Sequence, residues 1–158
     1  MKASVRAFFG AALAALAVLP ARAESPGKAG GTLAMGTTQV PRHFNPAVQS
    51  GIATMGPGAQ LFATLVRADE HWNMKPYLAT SWEVAKDGLS VTFHLRKGAK
   101  FSDGQEITSA DVAYSVEVQK ANHPFKTSLG AVEKVETPDP YTAIFRLSHP
   151  HPALLLAL

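Results

Sequence analysis

The run "TFHLRKGAKFSDGQEITSADVAYSVE", Thr92 to Glu117, joins an alternating strand, a turn-rich link and a helix start. With Val91 before it, the apolar residues Val91, Phe93 and Leu95 alternate with Thr92, His94 and Arg96, the period of a strand with one buried face. Thr108-Ser109-Ala110-Asp111 reads as a helix cap: the Thr108 hydroxyl can accept from the Asp111 amide, and the acid suits the positive helix terminus. The helix is predicted to run to about Lys120 with Val112, Ala113 and Val116 turned inward.

Working outward, Thr80 to Val84 faces the first strand across Lys86-Asp87-Gly88, where Asp-Gly is a strong hairpin signal. Tyr141, Ala143, Phe145 and Leu147 make a second alternation. Val132 to Glu136 can pair with it across Thr137-Pro138-Asp139-Pro140, whose prolines exclude a helix. These residues predict an α+β fold of two antiparallel hairpins with helices packed on them. On the N-terminal side, Thr32 to Met35 reads as a short strand. Thr37 to Gly58, rich in proline and glycine, reads as an ordered loop without regular structure, and Ala59 to Leu65 as a short helix.

The chain has 158 residues, 15 basic and 12 acidic, and a formal charge of +3. Lys2 and Arg6 precede an apolar run from Ala7 to Leu19, and Ala21-Arg22-Ala23 fits the small-x-small rule, so residues 1–23 read as a signal peptide cleaved before Glu24. The run falls short of the ~20 residues that span a bilayer. Removing this leader takes away three basic residues and leaves twelve charges of each sign, with no basic stripe for a nucleic acid. There is no cysteine, hence neither a disulfide nor a lipidation site, and the expected compartment is the periplasm. Residues 24–29 form a polar lead-in. At the other end, Pro152 to Leu158 is wholly apolar; Leu154, Leu155, Leu156 and Leu158 are expected to lie uncovered, as in a chain cut off mid-domain.

No residue pattern points to catalysis. Asp103, Glu106 and Asp111 could in principle pair as acid and base, but turn and cap duties account for two of them. His149-Pro150-His151 places two imidazoles at a spacing of two without a third donor, so no metal site is expected. His94 reads as a solvated strand position. Gly-x-Ser-x-Gly, phosphate-cradling and His-Glu-x-x-His motifs are absent, so no enzyme activity and no cofactor are expected. Trp72, Trp82 and Phe101 could stack on a ligand, although aromatic residues beside strands are more often core.

The longer run "YLATSWEVAKDGLSVTFHLRKGAKFSDGQEITSADVAYSVE", Tyr77 to Glu117, resembles the extracytoplasmic solute-binding proteins of peptide and nickel ABC transporters, family 5. Pro76, Leu78, Ala79, Ser81, Trp82, Asp87, Gly88, Leu95, Arg96, Phe101, Asp103, Gly104, Asp111, Val112, Tyr114 and Ser115 fill the places of that family's usual pattern. The resemblance implies the N-terminal part of a type II (cluster C) periplasmic-binding-protein fold with the second lobe absent. Residues 30–45 would be the first strand and loop of lobe I, and residues 46–158 the outer subdomain, truncated at its C-terminus. "HFNPAVQSGIATMG" resembles the Asn-Pro loop of dipeptide binders, which implies that Ser50, Gly51, Ile52, Ala53 and Thr54 line a ligand cleft, with Phe125 at its edge. The partners implied are a peptide or other small solute and the permease subunits of an ABC transporter, the full-length protein being a monomer that closes two lobes around its ligand. A nickel- or haem-delivering relative and a truncated product without binding activity are the alternatives.

Overall fold

A computed structural model describes residues 30–32 and 34–158. The expected leader, residues 1–23, and the expected lead-in, residues 24–29, lie outside the described residues. The chain divides into two units, Met1–Met35 and Gly36–Leu158. In the first, Thr32, Ala34 and Met35 carry no strand, which corrects the expected strand at Thr32 to Met35. Extended backbone counts as strand only when a ladder satisfies its amides and carbonyls, and Ala34 and Met35 lie exposed instead.

The second unit runs α1 (Ile52–Leu61), β1 (Val66–Ala68), β2 (Met74–Pro76), β3 (Ala79–Val84), β4 (Ser90–Leu95), α2 (Ser109–Asn122), a 3₁₀ turn at Lys126–Leu129, β5 (Val132–Asp139), β6 (Thr142–Leu147) and α3 (Leu154–Ala157). β1 and β2 form a small antiparallel sheet of their own; the other four strands make an antiparallel sheet in the order β3-β4-β6-β5. Both expected hairpins are present. Asp87 braces the first by accepting the Leu89 amide at 2.9 Å. The second differs in detail, because β5 continues through Thr137 and Pro138 to Asp139. Its register breaks between Glu136 and Asp139, and a proline is tolerated there because an irregular stretch needs no ladder bond from it.

The hairpins join through β4 and β6, which set Val91 opposite Phe145 and Phe93 opposite Ala143. The two phenyl rings meet edge to face, 5.1 Å between centroids, and both are fully buried. Leu95, Leu147 and Val132 continue this layer, while Val112 and Val116 of α2, Leu129 of the 3₁₀ turn and Leu154 of α3 join the same core. Trp82 is half-buried and packs at its margin. α2 begins with the expected capping box: the Asp111 carboxylate accepts from the Thr108 amide at 2.8 Å and from its hydroxyl at 3.0 Å.

C-terminal packing departs from expectation. Leu154 is 1% exposed, and Leu155, Ala157 and Leu158 pack against the core; of the four leucines only Leu156 is largely exposed. The apolar tail therefore closes the end of the core beside the 3₁₀ turn.

Glu136 ties β5 to β6. Arg146 donates to one of its oxygens from Nε at 2.9 Å and from a terminal nitrogen at 2.8 Å, and the Lys134 ammonium lies 2.7 Å from the other. Arg146 above all, then Lys134, holds the Glu136 carboxyl down at about 2 against an ordinary 4.5. A depressed acid stabilises the fold above its unfolded value and loses that contribution as the pH falls toward its folded value. Glu136→Gln is thus expected to flatten the decline in stability between pH 4.5 and about 2, as read by urea midpoints across that range. A parallel decline in both proteins would show that the pair does not couple to folding.

Candidate functional site

The segment expected to meet a ligand folds as a loop tied onto α1. The Asn45 side chain accepts the Ala47 amide at 2.9 Å, an Asx turn that starts the bend, and His43 Nδ1 accepts the Asn45 amide at 3.3 Å. Thr54 is 1% exposed and donates its hydroxyl to the His43 carbonyl. One turn on, Gly58 lies so close to the loop that a Cβ there would stand 3.2 Å from the Phe44 carbonyl and the Pro46 ring. Thr54 and Gly58, four apart, form the one helix face that the loop covers.

α1 itself corrects the reading of Thr37 to Gly58 as irregular and of a helix at Ala59 to Leu65. It starts at Ile52, contains Pro57 and ends at Leu61. Pro57 removes one backbone donor, which is why the stretch looked unable to be helical. The helix also lacks an apolar stripe, with Ile52, Met55 and Leu61 all exposed, so periodicity could not reveal it.

Ser50, Gly51, Ile52, Ala53 and Thr54 lie together at the start of α1. Gly51 has φ 106°, a conformation that only glycine adopts without strain, and it turns the chain into the helix. It brings no capping side chain, so the amides of Ile52 and Ala53 begin the helix without a side-chain acceptor. Gly51 and Ile52 are exposed, Ser50 and Ala53 half-buried. The Thr54 side chain faces inward and holds the loop. Such an arrangement can offer backbone donors to a carbonyl or carboxylate oxygen without selecting the side chains around it. Phe125, 63% exposed, stands on another element, at the start of the 3₁₀ turn and 5.7 Å from the His123 ring.

Other candidates serve the scaffold. Asp103 accepts the Gln105 amide, Asp111 caps α2, and Glu106 accepts from the Gly98 amide at 2.7 Å and the Tyr141 hydroxyl at 2.9 Å. The Gly98 amide, then Tyr141, holds the Glu106 carboxyl below its ordinary value, and the carboxylate raises Tyr141 in return. All three carboxylates thus have structural partners. The rings of His149 and His151 are 6.5 Å apart, and among the described residues no group of three histidines or carboxylates converges to hold a metal. His94 stands half-buried opposite Ser81 and Thr142. Of the aromatic residues, Trp82 packs on the core, Phe101 is 46% exposed, and Trp72 is 77% exposed with φ 63°. The left-handed backbone of Trp72 has no mark in the sequence beyond Asp69, a residue type that favours turns.

The profile of the family "Bacterial extracellular solute-binding proteins, family 5 Middle" matches residues 73–158, the helix and both hairpins of the main sheet. The chain belongs to that family. Heme-binding protein A of Haemophilus influenzae is 35% identical over 66% of this chain and 21% of its own length. The family 5 chain is also 30% identical to the oligopeptide-binding protein AppA of Bacillus subtilis, over 76% of this chain and 23% of AppA. Among solved structures, NikZ from Campylobacter jejuni in complex with Ni(L-His) superposes with a TM-score of 0.67 at 30% identity, covering 76% of this chain and 24% of NikZ. The chain thus spans between a fifth and a quarter of the length of these relatives.

Proposed function

We propose that this chain is part of the extracytoplasmic binding component of an ABC importer for peptide-like solutes, exported by way of residues 1–23 and working in the periplasm with permease subunits and without catalysis. Family 5 membership carries the proposal. The start of α1 supports it chemically: exposed backbone at Gly51 and the uncapped amides of Ile52 and Ala53 suit the main chain of a peptide, whose carbonyls and terminal carboxylate recur whatever its side chains. Ser50 would flank that contact, Thr54 would hold it from behind and Phe125 would border it.

A second reading, delivery of haem or of a nickel complex, draws support from the similarity to Heme-binding protein A and to NikZ in complex with Ni(L-His). Isothermal titration of the secreted protein separates the two. For the full-length binding protein that carries this chain, a pool of di- to pentapeptides is expected to give saturable heat, while haem and nickel with histidine give none; residues 24–158 alone, offering one wall of a cleft, are expected to bind peptide at best in the millimolar range. Saturation by haem or nickel alone would replace the peptide reading. The same preparation, sequenced from its N-terminus, is expected to start at Glu24.

A further inference from the structure

We infer that Trp72 is a contact residue, an indole displayed at a hairpin tip to stack on a cationic side chain of a partner protein. β1 and β2 pair Ala68 with Met74, and the ladder closes where the Asp69 amide donates to the Asn73 carbonyl at 3.0 Å. Between them, Glu70, His71 and Trp72 form a three-residue link in which the Trp72 amide returns to the Asp69 carbonyl at 3.0 Å. Such links end in a left-handed residue, a place suited to glycine. Here a tryptophan occupies it at φ 63°, and it is the one non-glycine residue with a positive φ among the described residues.

A bulky residue held in that conformation carries strain, which persists where packing or function requires the side chain. Packing gives no reason: Trp72 is 77% exposed and takes no part in the core. The turn is nevertheless braced. Asp69 accepts the amides of His71 and Asn73 at 2.9 and 2.8 Å, takes the Asn73 side-chain amide at 3.2 Å and has the Lys75 ammonium at 3.4 Å. The indole is thus offered on an ordered platform, which lowers the entropy lost on contact.

Charge at the tip selects the partner's chemistry. Lys75 answers Asp69, whereas the Glu70 side chain is 86% exposed and has only the exposed His71 imidazole beside it, at 3.6 Å. A carboxylate and an indole two residues apart on one turn suit a guanidinium or ammonium group, which the ring face and the acid can share. The tip projects from a hairpin, and a projecting tryptophan is the kind of anchor that fills a pocket on another protein. This inference does not rest on the solute reading.

An acetylated, amidated tetra-arginine peptide is the probe, with tetra-glutamate as control, and the indole N–H resonance of Trp72 is the signal, assigned by its loss in Trp72→Gly. Tetra-arginine is expected to shift that resonance saturably while the Trp82 indole stays still, and tetra-glutamate to leave both unmoved. Followed on the backbone amide of residue 70, the affinity is expected to fall about threefold to fivefold in Trp72→Gly, with a smaller loss in Glu70→Gln. Trp72→Gly is also expected to melt at or above the temperature of the parent, since the strain is relieved. A lower melting temperature would mean that the indole supports the fold. That result, an unsaturable titration, an equal response to tetra-glutamate or unchanged affinity in Trp72→Gly would each overturn the inference.

Discussion

Phe93→Ala is expected to destabilise the fold by about 3–5 kcal/mol, the range for removing a buried aromatic ring. Phe93 has no exposed surface and meets the equally buried Phe145 edge to face. The substitution forfeits the apolar burial of a ring and opens a cavity at the junction of β4 and β6, the one seam that holds the two hairpins in a single sheet. It also removes an aromatic pair worth about 0.5–1.5 kcal/mol beyond burial. For a unit of this size the melting temperature should fall by about 10–20 °C. The more conservative exchange Phe93→Leu leaves most of the volume filled and should cost about half as much. Urea and thermal melts followed by far-ultraviolet circular dichroism decide the matter; a midpoint within about 2 °C of the parent in Phe93→Ala would show that the seam is held by backbone pairing alone.

The chemistry of the sequence and the geometry of the fold agree where the signal is local. Alternation at Val91, Phe93 and Leu95, the Asp87-Gly88 turn and the Thr108–Asp111 cap each act within a few residues, and all three are present. Sheet order was not legible in the same way. That β6 enters between β4 and β5 depends on pairing across some fifty residues, which no short window contains. α1 is illegible before Ala59 for the opposite reason: a loop holds it at Thr54 and Gly58 in place of an apolar stripe, so neither period nor propensity marks it there. In the candidate site, the residues Ser50 to Thr54 came from resemblance, whereas their division of labour came from burial. A threonine and its neighbours look alike in sequence until one hydroxyl is found turned inward onto the His43 carbonyl.

Leu154→Ala carries the second large effect and bears on a tail that reads in sequence as exposed. α3 has four residues, too few to be helical without tertiary support, and its first amides reach only to His151 and Ala153. What holds it is Leu154, 1% exposed, in the core that also contains Leu129. Truncating a leucine in such a site costs about 2–5 kcal/mol. Since α3 has no other buried side chain, the variant is expected to release the segment and expose Leu155 and Leu158 with it, so dye binding should rise along with a fall of about 8–15 °C in melting temperature. Leu156→Ala is the matched control: Leu156 is 65% exposed on the same turn and should change stability by less than about 0.5 kcal/mol. Equal effects from the two substitutions would mean that the tail contributes by general hydrophobicity and that Leu154 is no anchor. A large loss at Leu154 beside a silent Leu156 would establish that one buried side chain turns an apolar tail into the closing piece of the core.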